Sequence, residues 1–403
     1  MDAFIARQPI FDVNKKLYAY ELLFRDGLCN CMPQVEGDVA TSKVLSNAYL
    51  TTGLSQITGG RRAFINFTEK LILKEMPLFF PKETTVVEIL EDVPSTGAVL
   101  AAGRKLSEQG YIIALDDFVF QPDMASLIDL ADIIKVDFRL APISKITEYL
   151  EKGHLRGATL LAEKVETHEE FRLAVDLGFT YFQGYFFSKP EVIKGKDISG
   201  SRFRLLQIMA SVNQPDFEFE EVENLVHQDL AISYKLLAVV NSAFFIRRSR
   251  VTSIKEALVF LGQNDVRRFV SLIALSHITS DKPNELIRCS CIRARFCESL
   301  STVSTCSESA DELFTLGLFS NIDSLLDRSM DAVMAKLPLS QKIVDALVYD
   351  RGELSKYLVM VKCYEKGDWS SVKFMAVELC IAEETIPPIY KEACEWATAI
   401  MAE

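Results

Sequence analysis

Apolar and polar positions in the first half of the chain follow two alternating patterns. The runs LYAYELLF, AFINF, TVVEIL, YIIALD, ADIIKVD, TLLAE and FTYFQGYFF are short and rich in β-branched and aromatic residues, the signature of strands. Between most of them lie segments with apolar residues at three- and four-residue spacing, such as STGAVLAAGRKLSEQG and THEEFRLAVDLG, which predict helices. Strand alternating with helix implies parallel strands with helices outside.

A polar residue stands in or just after each run: Glu21, Asn66, Glu91, Asp116, Lys135, Glu163 and Gln183. After a first interval of 45 residues they recur every 19 to 28, the size of a strand-plus-helix unit. One such residue merely ends a strand. A series of them is what a (β/α) barrel uses to build a site on its C-terminal face. Carboxylates gathered there repel one another unless cations join them, so metal binding is the natural companion. Two divalent ions about 4 Å apart would suit hydrolysis of a phosphodiester.

Beyond Pro190 the pattern changes. EVIKGKDISGSR has two glycines and mixed charge, as a linker does. The segments SRFRLLQIMASVN, FEEVENLVHQDLAISYKLLAVVNSAFF, SIKEALVFLGQNDVRRFVSLIALSHI and DELFTLGLFSNIDSLL all carry helical periodicity. Ser253 and Glu256 form a capping-box sequence, and Gly262 stops that helix. The expected organisation is α/β plus all-α: a barrel over 1–195, a linker over 196–201 and an all-helical domain over 202–403.

Composition narrows the function. The chain of 403 residues is 49% hydrophobic and 25% charged, as two ordinary globular domains would be. Its net charge of -12 opposes a general hold on nucleic acid. No apolar run is long enough to span a bilayer, and Asp2 stands where a signal peptide would be basic, so the expectation is a cytoplasmic protein without membrane insertion. The nine cysteines lack zinc-ribbon spacing and read as reduced thiols, and the four histidines form no ligand cluster.

Three stretches resemble the EAL family of cyclic di-GMP phosphodiesterases. YELLFR (Tyr20 to Arg25) stands where that family has E-A-L-x-R, LDDF (Leu115 to Phe118) matches its twin aspartates, and AEKVET with FQGYFF matches A-E-G-V-E and Q-G. FINF, VVEILE and IIKVD fall in the right order between them. The helical half resembles the HDOD domain through LVHQDLAISYKLLAVVNSAFF and SIKEALVFLGQNDVRRFVSLIAL, without the His and Asp metal ligands of HD hydrolases. The fold implied is a compact (β/α) barrel of the EAL type followed by an all-helical HDOD domain.

The resemblance implies Mg²⁺ or Mn²⁺ held by Glu21, Asn66, Glu91, Asp116 and Asp117. It implies catalytic parts for Lys135, Glu163 and Gln183, with Asp137 and Glu166 as orienting neighbours and Arg25 on a substrate phosphate. Departures are concentrated. Val119, Phe120, Gln121 and Pro122 replace a glycine-rich loop after the twin aspartates, and Lys164 replaces the glycine of A-E-G-V-E.

Two functions follow. One is a regulator of the cyclic di-GMP network, its degenerate EAL domain able to bind a nucleotide or a metal and its HDOD domain engaging a protein partner to act on motility, attachment or biofilm behaviour. The other is a working phosphodiesterase that opens cyclic di-GMP to linear pGpG. Phe244 and Phe245 beside Arg247 and Arg248 are the expected partner-binding residues, since aromatics and arginines are enriched in interface hot spots.

Overall fold

The computed structural model describes residues 4–24, 54–116, 125–139, 144, 146–148, 157–188, 205, 208–209, 211–212, 217–227, 230–241, 251–278, 283–306, 308–335, 337 and 339–401. Arg25, Asp117, the loop 118–124, the linker 196–201, and Phe244, Phe245, Arg247 and Arg248 lie outside the described residues.

Eight strands close a barrel: β1 (Ile5–Asp12), β2 (Leu17–Phe24), β3 (Arg62–Phe67), β4 (Thr85–Ile89), β5 (Ile112–Leu115), β6 (Ile133–Asp137), β7 (Thr159–Glu163) and β8 (Tyr181–Gln183). From β2 to β8 they pair in parallel and in chain order, as the alternation implies. β1 departs from that pattern, pairing antiparallel with both β2 and β8. Arg7, Gln8 and Pro9 interrupt its apolar character, which hides it from a search for apolar runs. A tight turn defines it instead. Asp12 Oδ1 accepts from the backbone N–H groups of Asn14 and Lys16 at 2.8 and 2.9 Å, and Lys15 takes φ 58°.

One layer of the barrel interior is apolar. Ile10, Ala19, Phe64, Val86, Ala114, Ile133 and Leu161, one from each of β1 to β7, form a buried cluster with Tyr181 of β8 packed against it. Side chains along a strand alternate between faces, so the residue two places on from each of these also points inward.

Outside the barrel, α1 (Gly97–Glu108) starts at Thr96, whose side chain accepts from Val99 N–H at 3.3 Å. The next helix used below, α2 (His168–Asp176), starts at a capping box: Glu170 N–H donates to Thr167 Oγ1 at 3.1 Å, and Glu170 Oε2 accepts from Thr167 N–H at 3.0 Å. That box fixes the chain just after β7, where several site residues stand.

The chain divides into two compact units, of residues 1–189, 360–377 and 382–395, and of residues 190–359, 378–381 and 396–403. Every described element of the second is a helix. Within it, α3 (Ile254–Ile278) is capped by Ser253, whose Oγ accepts from Glu256 N–H at 3.1 Å, and is broken by Gly262 at φ 72°, as the sequence implies. α4 (Asn284–Val303) and α5 (Ala310–Phe319) approach so closely that a Cβ on Gly317 would lie 2.4 Å from the Arg293 carbonyl oxygen. The buried Glu298 carboxylate is bonded by Arg268 and, at 2.8 Å, by Arg295. Among the described residues, no helix is long and apolar enough to cross a membrane.

In the first unit, the late segments lie with the barrel. From residue 360 onward α6 (Glu353–Lys366) belongs to this unit, and there the Tyr364 hydroxyl donates to the Ile5 carbonyl of β1 at 3.4 Å. The rings of Phe4 and Trp369, the latter opening α7 (Trp369–Glu378), meet edge to face at 5.9 Å.

Candidate active site at the barrel mouth

Moving two residues from each member of the apolar layer toward the C-terminal ends of the parallel strands gives the site. Ala19 leads to Glu21, Phe64 to Asn66, Val86 to Glu88, Ala114 to Asp116, Ile133 to Lys135, Leu161 to Glu163 and Tyr181 to Gln183; on antiparallel β1, Ile10 leads back to Gln8. Two ladders join members of this layer directly, Gln8 with Glu21 and Asn66 with Glu88, while others are staggered by two residues and set Glu21 opposite Phe64, Glu88 opposite Ala114 and Lys135 opposite Leu161. Seven strands, with Asp116 just past the end of β5, thus gather eight polar residues above an apolar floor.

Lys135 is the hub. Fully buried, its Nζ lies 2.8 Å from Asp116 Oδ1, 2.8 Å from Glu163 Oε1 and 3.6 Å from Glu21 Oε1, and it is also bonded to the fully buried Glu88. Gln183 Nε2 donates to Glu21 Oε2 at 2.5 Å and to Gln8 Oε1 at 2.8 Å, while Asn66 Nδ2 reaches Glu21 Oε1 at 3.4 Å. Burial opposes the Lys135 ammonium, but Asp116, Glu163, Glu21 and Glu88 together outweigh it and hold its pKa well above 10.5. The same burial, against the pull of Lys135 and with the push of Asp116 and Glu21, raises the carboxyls of Glu88 and Glu163 well above 4.5.

One ammonium against four carboxyl groups leaves 1 − 4 = −3 if all are ionised. Such an excess, buried, favours either protons or added cations. The donors are hard oxygens, the type that Mg²⁺ and Mn²⁺ prefer. Glu88 Oε2, Glu163 Oε2 and Gln183 Oε1 are buried without a hydrogen-bond partner among the described residues, so acceptor capacity is in reserve. Among those residues no three acidic, His or Cys groups converge as a preformed metal cage, because the carboxylates converge on Lys135 instead. The chemistry of the layer therefore fits a divalent cation, with some carboxylate movement away from the ammonium.

The layer opens into a cavity of about 500 Å³, whose lining includes Glu21, Asn66, Asp116, Glu163 and Gln183. Glu91, the expected ligand on β4, also lines this cavity but lies beyond the strand's end, whereas Glu88 holds the inward position. Sequence reasoning missed Glu88 and Gln8. The signal for Glu88 was its phase with Val86; Gln8 went unseen with its strand. Asp137 Oδ1 accepts from Arg139 N–H at 2.7 Å, and its Oδ2 lies 2.5 Å from Lys164 Nζ. Arg139 pairs with Glu166. Lys164 stands at φ 54°, in the left-handed region that favours glycine, the residue type that the resemblance implies there. Gly184 cannot be replaced so simply, because a Cβ there would lie 2.0 Å from the Val165 carbonyl oxygen.

Comparison with known proteins agrees with this architecture. Residues 54–190 match the EAL domain family and residues 204–337 the HDOD domain family. The chain is 38% identical over 400 residues to the cyclic di-GMP phosphodiesterase CdgJ of Vibrio cholerae, covering 98% of this chain and 93% of that protein. It is 34% identical over 409 residues to the uncharacterized protein YuxH of Bacillus subtilis, covering 100% and 99% of the two chains. An EAL domain protein of Listeria monocytogenes matches at 21% identity and a TM-score of 0.36, over 46% of this chain and 87% of that one. The barrel, the ordered motifs and the full-length relatives together place this chain in the family of proteins that join an EAL domain to an HDOD domain.

Proposed function

We propose that the protein is a metal-dependent phosphodiesterase that opens cyclic di-GMP to linear pGpG. The observation that carries this reading is the inward layer: polar groups on seven strands and Asp116 just past β5 gather at the barrel mouth, and four carboxyls surround one buried lysine. The name of the full-length relative CdgJ supports the same substrate. Mg²⁺ or Mn²⁺ held by Glu21, Asn66, Glu88 and Asp116, with Glu91 at the margin and Asp117 assigned by the resemblance, would polarise the phosphate and acidify the attacking water.

The chain's own residues supply the rest. Gln183 fixes Glu21 through its 2.5 Å hydrogen bond. Lys135 stays charged and holds Asp116 and Glu163 in place at 2.8 Å each. Glu163, with its raised carboxyl pKa, accepts the proton of the water, whose oxygen bonds to phosphorus as one P–O ester bond breaks, and the leaving oxygen takes up a proton from solvent. Arg25 is assigned to a substrate phosphate.

A second reading is a cyclic di-GMP-responsive regulator acting through a protein partner at Phe244, Phe245, Arg247 and Arg248. It is favoured by the sequence F-V-F-Q-P after Asp117, where the resemblance implies a glycine-rich loop. Purified full-length protein incubated with cyclic di-GMP and Mn²⁺ separates the two: turnover abolished by Glu21→Ala supports the enzyme, and binding without turnover supports the regulator.

A further inference from the structure

Lys366 lines the same cavity as Glu21, Asn66, Asp116 and Glu163 although it follows Gln183 by 183 residues. It lies beyond both family matches, which end at residues 190 and 337. It ends α6, in the segment 360–377 that clusters with the barrel and is anchored on β1 through Tyr364. Two contacts place it. Its Nζ stands 5.2 Å from the centre of the Tyr185 ring, and its backbone carbonyl accepts from Gln8 Nε2 at 3.5 Å. Gln8 in turn accepts from Gln183, which holds Glu21, so the end of α6 joins the inward layer by successive hydrogen bonds.

Charge gives this position its meaning. The other described cations lining the cavity are engaged, Arg139 with Glu166 and Lys164 with Asp137. Lys366 is exposed; it feels the Asp368 carboxylate, which Ser371 and, less strongly, Lys366 hold below its usual range, but closes no ion pair within 4 Å among the described residues. A cyclic dinucleotide carries two phosphodiester anions. Only one can sit at the reacting centre, and the other faces a lining in which Glu91 and Asp92 add to the acidity of the inward layer. An anion there needs a cation to face it.

We infer that Lys366 binds the phosphate of the cyclic dinucleotide that is not being cleaved, so that a segment outside the barrel strands completes the substrate site. This rests on the proposed cyclic di-GMP reading. Lys366 contributes binding to ground state and transition state alike, which places its effect in KM and Kd rather than in kcat.

The test uses full-length Lys366→Met, which keeps an unbranched stem against Tyr185, with Lys366→Arg and Lys366→Glu. Cyclic di-GMP binding is measured by calorimetry with Ca²⁺, and kcat and KM with Mn²⁺. Lys366→Met is expected to raise Kd and KM about tenfold with kcat nearly unchanged, the loss of one charge-assisted contact. Lys366→Glu should weaken binding further, and Lys366→Arg should stay near wild type. The salt dependence of binding should fall in Lys366→Met while its melting temperature holds, a pair of results that a packing role would not give. If wild type binds and the Met and Glu variants bind equally well, the Lys366 assignment is wrong and the phosphodiesterase reading stands. If wild type neither binds nor cleaves cyclic di-GMP, both fall.

Discussion

Glu88 lies opposite Asn66 in the ladder between β3 and β4, and this pairing brings both side chains into the inward layer of the barrel. The two residues arrive there for the same reason: each stands two positions beyond a core residue, Val86 or Phe64. Chemistry at the mouth is thus set by strand phase, and the consequences can be measured.

Removing the hub should expose the cost of the gathered charge. Lys135→Met leaves the carboxyls of Glu88 and Glu163 buried without their ammonium. Breaking a buried pair from one side costs about 3–5 kcal/mol, so urea unfolding of metal-free protein at pH 7.5 should show a loss of that size. An unchanged midpoint would mean that the carboxyls are not held by Lys135.

Metal and protons should compete for the same oxygens. Glu88 and Glu163 have folded pKa values raised above 4.5, so the stability they contribute is full below that value and is lost as pH rises through their folded pKa. Lys135, raised above 10.5, stays charged throughout this window. Metal-free protein should therefore lose melting temperature on going from pH 5 to pH 8. Mn²⁺ should raise the melting temperature more at pH 8 than at pH 5, because protons occupy its ligands in acid. Equal shifts at both pH values would place metal binding elsewhere.

Gly184 tests the packing beside the site. A methyl there would collide with the Val165 carbonyl, at a φ of 143° that favours glycine. Gly184→Ala should cost about 2–5 kcal/mol in urea unfolding, the sum of overpacking and backbone strain. A loss under about 0.5 kcal/mol, the range of a neutral surface change, would show that β7 and β8 can part there without penalty.

Much of this was readable from residues alone, and the failures have a common cause. The parallel strands were legible because each is a short apolar run, and Asp116, Lys135 and Glu163 stood out as polar residues in or at the end of such runs, in phase with the inward face. Glu91 was favoured over Glu88 because it ends the acidic stretch VVEILE, whereas the inward phase set by Val86 selects Glu88. β1 carries Arg7 and Gln8 within its span and is recognised by its turn, so Gln8 was invisible to an apolar search. Lys366 reaches the cavity only through tertiary packing of α6 against β1, which no local pattern records.

The most direct measurement of the central claim is the initial rate of pGpG formation from cyclic di-GMP with Mn²⁺, for wild type, Glu88→Gln and Glu91→Gln. Wild type is expected to turn over, Glu88→Gln to lose about 100-fold or more as a removed metal ligand would, and Glu91→Gln to lose less. No turnover by wild type, or a Glu88→Gln variant as fast as wild type, would contradict that claim.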